Sequence, residues 1–449
     1  MKDGSRLKIF IIVFFSAMGG MLYGYDIGII NGAFLFIAND IPMTVTQTSF
    51  LGGSVLFGGA FAILIGGVLA DLIGRKKTIS LAGLIFLISV LMIYVSDTYT
   101  ELLISRLVQG VAVGFISITV PLYLTEAVPS SIRGVAVTSF QLLLTAGILL
   151  ANYVGLFFEA SGNWRAMFLT ALVPGVIVFA GSFMLIKSPR WLIMNNRESE
   201  AEDLLIKTLG YEKAKEQMLE VKTLIDSTKN EGSIWKNLHH RHYLVPMMLV
   251  FSIAILAQLT GINSILQYAS TMLKEAGLGS NYASLIGGVT ITAINFVTTI
   301  AAVLMADKVE RKFVIGFGTF MVSVSLVATG IMLALLPVSE LKGWLLLAGF
   351  VSFIFFFAIG PGAYVWVIMS ELLPTSIRSK GLAVALFLNS MASAILASVF
   401  LPMSQSLGQS SIFYVCGACT LLYSFIVFKF VPKTNGLSLE EIERGFVKK

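Results

Sequence analysis

The chain is poor in charge, in cysteine and in histidine. Only 12% of its 449 residues are Asp, Glu, Lys or Arg, about half the share of a soluble domain, too few to clothe a large water-facing surface. The three histidines, His239, His240 and His242, share one short basic stretch, and the two cysteines, Cys416 and Cys419, stand three apart in an apolar run. Neither set has further ligands at metal-binding spacing, so no metal site and no cofactor is expected, and the cysteines read as packing residues. Nucleotide-binding loops and catalytic-triad spacings are missing too, which makes an enzyme the least favoured class. No Asn-x-Ser/Thr sequon occurs, which favours a bacterial protein. The basic N-terminus leads into an apolar run without a small-residue cleavage site, so it reads as a retained first helix rather than a leader.

What the chain has in abundance is apolar length. Hydrophobic residues make up 56%, and there are 41 glycines, the small residues that let membrane helices approach closely. Runs long enough to cross a bilayer predict twelve spans: 7–36, 48–70, 78–96, 101–122, 134–158, 164–186, 243–273, 282–306, 313–336, 343–369, 380–403 and 408–431. The expected fold class is an all-α membrane protein. Lysines and arginines set its orientation. With both termini in the cytoplasm, 27 of the 31 fall on the inside, and only Arg165, Lys274 and Lys342 fall outside. The remaining one, Arg106, lies within span 4. The net charge of +6 is spread over short connections between spans, so no nucleic acid partner is expected. Lipid is the expected surroundings, and the cell membrane the expected location.

Deep in span 1 the stretch Gly24-Tyr25-Asp26-Ile27-Gly28 carries a carboxylate with no basic residue near it in sequence. An acid at such depth costs about 2.5–3.5 kcal/mol on insertion scales and usually marks a pathway or a proton relay; a structural ion pair is the plainer alternative. Asp26 lies about 26 Å along span 1 from its inner start, and Arg106 about 8 Å into span 4 from the outside. The two therefore share a depth. A neighbouring arginine favours the charged carboxylate and burial favours the neutral acid, so movement of either group can switch protonation. It is the one pair of charges placed deep within the spans.

The sequence also repeats. Glu126-Ala-Val-Pro129-Ser-Ser-Ile-Arg133 after span 4 matches Glu371-Leu-Leu-Pro374-Thr-Ser-Ile-Arg378 after span 10 at five of eight positions. Asp71-Leu-Ile-Gly74-Arg75-Lys76-Lys77 after span 2 is echoed by Asp307 to Lys312 after span 8. Two six-span halves, 1–186 and 243–431, arise from such a duplication, a plan that places a transport site between halves. The polar segment 187–242 has apolar residues at helical spacing (Ala201, Leu204 and Leu205; Met218, Val221 and Ile225), which predicts short amphipathic cytoplasmic helices, the first capped by Asn195 with Glu198. In the tail 432–449, Ser438 and Glu441 form a capping box. The motif charges Arg75, Glu126, Arg133, Arg311, Glu371 and Arg378 are candidates for a cytoplasmic gate that latches the outward-facing state.

Taken in order, these motifs resemble the sugar porter family of the major facilitator superfamily over essentially the whole chain. The likeness continues in Arg106-Leu-Val-Gln109-Gly110, Gln141-Leu142, Ser188-Pro-Arg-Trp191-Leu192, Gln258-Leu-Thr-Gly261-Ile-Asn263 and Gly360-Pro-Gly362 with Trp366. The resemblance implies the major facilitator fold, alternating access, and transport of a monosaccharide or polyol. In that family an acid at the position of Asp26 goes with proton coupling, and facilitators have a neutral residue there. Its sugar-contacting positions map onto Gln141, Gln258, Asn263, Asn295, Trp366 and Asn389, and Gln267 replaces one of an aromatic pair. Amides that donate and accept at once suit neutral hydroxyls, and an aromatic face suits the C–H side of a sugar ring. Asn295 and Asn389 could equally serve as interhelical hydrogen bonds. Departures from the family are Ala257 for a glutamine, Ser390 for a tryptophan, and Lys187 and Lys433 for two glutamates.

The expectation is a monomeric proton-coupled sugar or polyol symporter using Asp26 and Arg106. Its rivals are an uncoupled facilitator with a structural Asp26 and, from another class, a membrane sugar sensor, for which the tail after Val431 leaves little room. Export of lipophilic cations fits the polar central residues poorly.

Overall fold

The structure is a computed structural model and describes residues 3–129, 132–229, 241–305, 309–374 and 377–434. Its elements are all helical. The first half comprises α1 (Asp3–Asp40), α2 (Val45–Ile73), α3 (Arg75–Tyr94), α4 (Tyr99–Ala127), α5 (Arg133–Phe157), and α6 (Trp164–Leu169) with α7 (Leu172–Met184). Three short helices follow, α8 (Pro189–Met194), α9 (Glu198–Leu209) and α10 (Tyr211–Lys229). The second half comprises α11 (Arg241–Leu259) with α12 (Ile262–Leu273), α13 (Asn281–Met305), α14 (Arg311–Leu335), α15 (Glu340–Ile359) with α16 (Pro361–Leu372), α17 (Arg378–Leu407) and α18 (Gln409–Phe430). Twelve of the resulting segments are long and apolar enough to cross a membrane, and this is an all-α membrane fold. Large apolar side chains such as Leu72, Val173, Phe313 and Leu335 stay exposed on its outside, where lipid tails are their natural solvent.

Local chemistry explains where the helices start and break. Capping boxes on Thr44 with Gln47 and Thr98 with Glu101 start α2 and α4, and Ser339 caps α15. The seventh span breaks at Gly261, whose φ of 84° is left-handed and suits glycine. The tenth breaks at Gly360-Pro361, where proline cannot donate to the preceding turn. Lys342 is buried at one end, but its Nζ donates to the carbonyls of Leu333 and Leu336 at 3.0 and 2.9 Å, closing the end of α14.

Two helix pairs in the first half touch backbone to backbone. A Cβ on Gly24 of α1 would lie 1.8 Å from the Leu144 carbonyl oxygen of α5, and one on Gly147 of α5 would lie 2.2 Å from that of Met21. In the same way Gly110 of α4 meets Val55 of α2, and Gly58 of α2 meets Leu107 of α4. Any side chain there would force the backbones apart, so α1–α5 and α2–α4 are each held as a close-packed pair.

The connecting helices carry a small core of their own, formed by Leu192, Ile193, Ala201, Leu205, Ala214 and Met218. They lie under the first half: Trp191 Nε1 donates to the Asp71 carbonyl at 2.9 Å, and Ser188 Oγ to Glu126 at 2.5 Å. The expected cap of α9 is corrected. Its N-cap residue is Arg197, without a side-chain cap. Asn195 Nδ2 donates back to the Trp191 carbonyl at 2.9 Å instead, because Asn196 turns left-handed (φ 57°) and closes α8 first. Lys187 has a partner in this segment, Glu200 at 2.7 Å, and that bond holds the Glu200 carboxyl below its usual range. Nothing in the structure explains Lys433. Ser438, Glu441, His239 and His240 lie outside the described residues, as do the side chain of His242 and the repeat residues Asp307 and Lys308.

Candidate transport site

Asp26 and Arg106 meet. Arg106 Nη1 lies 2.5 Å from Asp26 Oδ1, and each side chain is only 1% exposed. The bridge runs between the two close-packed pairs, from α1 to α4. The same nitrogen donates to Gln109 Oε1 at 2.7 Å, and the guanidinium lies over the Phe168 ring at 5.4 Å. Asp26 Oδ2 has no hydrogen-bond partner among the described residues. A second ion pair is equally enclosed, which corrects the expectation of a single one. Arg75 reaches Glu126 at 2.8 Å with both side chains 3% exposed, because Ser188 covers the carboxylate from below.

In the second half three expected amides form one connected set. Asn263 Nδ2 donates to Gln258 Oε1 at 2.9 Å and to Ser393 Oγ at 2.8 Å. Gln258 Nε2 donates to Asn389 Oδ1 at 3.2 Å, and Asn389 Nδ2 to the Ala254 carbonyl at 2.9 Å. The break at Gly261 turns Gln258 and Asn263, on either side of it, toward each other and toward α17. Ala257 packs into the apolar core of the second half with Ile253 and Tyr364. Among the described residues no hydrogen bond ties the side chains of Gln141, Asn295 or Trp366 to this set; Asn295 is buried, whereas Gln141 and Trp366 are half-buried. Gln267 is buried near Gly52 of α2, its Oε1 unpartnered among the described residues.

The halves are joined at one end of the bundle, the end opposite the basic connections. Asn31 Nδ2 donates to Asn152 Oδ1 at 2.7 Å and to Ser270 Oγ at 3.0 Å, while its Oδ1 accepts from the Ser270 backbone at 2.9 Å. Tyr268 is stacked between Phe34 and Phe400, and its hydroxyl donates to the carbonyls of Ser49 and Ala397. Here one apolar core runs through both halves, whereas toward the basic end the second half has a separate core around Ile253, Tyr364 and Val427. At the basic end two ion pairs lie within halves: Arg75 with Glu126, and Arg311 with Glu371. Arg378 donates to the Leu373 carbonyl at 3.2 Å. Arg75 with Glu126 and Arg311 with Glu371 are thus corresponding pairs in the two halves.

Sequence reasoning gave no site role to Ser393, Gln109, Asn152 or Ser270. Two of them carried a local signal: Gln109 is three residues after Arg106, and Ser393 four after Asn389, so each shares a helix face with a residue already singled out. Asn152 and Ser270 carried none beyond being polar in an apolar run.

Two duplicated groups of six spans, joined at one end around enclosed polar side chains, define a membrane transporter of the major facilitator fold. The sequence profile described as "Sugar (and other) transporter" matches residues 12–446. The chain belongs to that family, as a sugar porter. It is 35% identical to the probable metabolite transport protein CsbC of Bacillus subtilis, over 100% of this chain and 96% of that one. It is 30% identical to the galactose-proton symporter of Escherichia coli, over 99% of this chain and 96% of the other. A solved structure of the proton:xylose symporter XylE, from E. coli, bound to 6-bromo-6-deoxy-D-glucose superposes with a TM-score of 0.82 at 25% identity, over 98% of this chain and 100% of that one.

Proposed function

We propose that this protein is a proton-coupled symporter that imports a monosaccharide or polyol by alternating access. The observation that carries the reading is the Asp26–Arg106 pair. It is a carboxylate buried in a membrane span, with one oxygen on the arginine and the other, Oδ2, unpartnered among the described residues. A proton arriving at Oδ2 neutralises the acid and weakens the hold of Arg106, which links protonation to helix position. Two of the relatives described above are themselves sugar–proton symporters.

The substrate site lies between the halves. Gln258, Asn263 and Asn389 present amides to hydroxyls, with Gln141, Gln267, Asn295 and Trp366 as its other contacts. The excess of lysine and arginine at one end puts that end, with both termini, in the cytoplasm of the cell membrane. The halves are residues 1–186 and 243–431, joined by 187–242 and followed by the tail 432–449. Because they are joined at the opposite end, the conformation is inward-facing. In the outward-facing state Arg75, Glu126, Arg133, Arg311, Glu371 and Arg378 close the inner end. One chain supplies every part of the path, so the working unit is a monomer in lipid.

The deciding experiment is a panel of labelled pentoses, hexoses and inositol presented to proteoliposomes with and without an acid-outside gradient. At least one is expected to accumulate, and dissipating the gradient is expected to abolish accumulation. Saturable uptake that ignores the gradient for every substrate would leave a facilitator.

Alternating access also predicts that Asn31→Ala opens the outer end. The substitution removes two hydrogen bonds between the halves, both to Ser270, and one within the first half, to Asn152, each worth about 0.5–1.5 kcal/mol. The outward-open population should rise about tenfold or more. With Cys416 and Cys419 replaced by serine, a cysteine placed at Gln267 reports this as faster reaction with a membrane-impermeant thiol reagent added outside. An unchanged rate would mean that the Asn31 cluster does not hold the halves together.

A further inference from the structure

One nitrogen of Arg106 is shared between two acceptors. Nη1 donates to Asp26 Oδ1 at 2.5 Å and to Gln109 Oε1 at 2.7 Å. Gln109 is fully buried (0% exposed). Its Nε2 has no partner among the described residues, so the amide's one hydrogen bond is the one to the arginine. Three residues along α4 from Arg106, it is held beside the guanidinium by helix geometry alone.

The groups around Asp26 leave few other influences on its proton. Arg106 faces it from α4, and Tyr23 lies close on α1 itself; Tyr25 turns to Thr170. The helices packed against α1 include α5, α6, α7, α12 and α13. Arg133 is the first residue of α5, at the basic end, and Tyr153 is exposed on the outside of the bundle. Arg165 of α6 is engaged by Asp40 and Asp97. Tyr268 of α12 is bonded to Ser49 and Ala397, and Tyr282 of α13 is exposed. The sequence of α7 holds no titratable residue. The charges of α9 belong to the connecting segment at the basic end, about 26 Å of helix away from Asp26.

We propose that Gln109 is a positioning residue for the coupling pair: it holds the Arg106 guanidinium while Asp26 is protonated. The proton binds at and leaves from Asp26 Oδ2 without stranding an unpaired cation in the membrane. This rests on the reading of Asp26 as proton carrier. It makes Gln109 a competitor for Arg106. Without the amide, Arg106 is committed wholly to Asp26, the carboxylate is favoured, and loading needs more acid. With a glutamate at 109, a second carboxylate takes the cation, and Asp26 loads more readily.

The test is the pH profile of uptake into proteoliposomes for wild type, Gln109→Leu and Gln109→Glu, with substrate exchange as the check on folding. The pH dependence of substrate binding to the purified protein gives the same midpoint for a variant too slow to assay by uptake. The midpoint is expected to move about one unit toward acid in Gln109→Leu and about one unit toward alkali in Gln109→Glu. Midpoints that stay at the wild-type value, or move in the same direction in both, overturn the proposal, because a purely structural glutamine changes rates and yields without this opposition of sign. The parallel arm is Asp26→Asn. If that variant still accumulates substrate under a gradient, the coupling reading itself fails. If it loses accumulation while the Gln109 midpoints stay fixed, only the role of Gln109 fails.

Discussion

Reconstituted Asp26→Asn is expected to exchange labelled for unlabelled substrate and to lose all accumulation driven by a pH gradient. Asparagine is close to the protonated acid in size and carries no charge, so Arg106 meets a neutral partner whatever the pH. Exchange needs only the loaded carrier to reorient, with no net movement of protons. Accumulation needs a group that titrates, and none remains. A gradient of one pH unit is worth about 1.4 kcal/mol, about tenfold accumulation for one proton per substrate. The wild type should approach that ratio and the variant should stop at equality. The structure adds a reason to expect a folded variant, since the second interaction of Arg106, with Gln109, survives the substitution. A purely structural Asp26 gives the reverse pattern, with exchange lost and residual transport still driven by protons. Accumulation by the variant at the wild-type ratio would remove Asp26 from proton carriage.

Asn263→Ala is the second large effect. Asn263 donates to both Gln258 and Ser393, so its removal releases two acceptors and unties α12 from α11 and α17 at once. Partly enclosed polar groups left without partners cost about 1–3 kcal/mol. If substrate hydroxyls use the same groups, affinity should fall by about 5- to 150-fold. Asn263→Asp keeps the size but removes the donor, so it should resemble Asn263→Ala. Ser393→Ala removes one acceptor and should do less. The measurement is substrate affinity by exchange at constant pH, with Asp26 intact. Equal affinity in Asn263→Ala and the wild type would place the amide set outside the substrate path.

What the sequence disclosed and what it hid follow from the physics of membrane helices. The spans were legible because crossing lipid demands length and apolar composition. The meeting of Asp26 with Arg106 was legible for a different reason: charges at depth are so few that depth alone nearly names the partners. The face that each helix turns to its neighbours was not legible. These helices are apolar all round, so periodicity does not point inward as it does in an amphipathic helix. That is why the Asn31, Asn152 and Ser270 cluster went unseen, its members 121 and 239 residues apart. Asn195 misled in the opposite way, since its local cap pattern competed with the end of the preceding helix and lost.

The backbone-close pairing of α1 with α5 and of α2 with α4 bears on how the chain is made. Helix α1 cannot settle against its neighbour until α5 has left the ribosome, and Arg106 emerges 80 residues after Asp26. At about 5–20 residues per second that is a wait of roughly 4–16 s. Throughout it Asp26 sits in its nascent span with no arginine to meet it. The acid that serves the finished transporter is therefore a burden to the newborn chain, one that ends only when α4 brings Arg106 against α1.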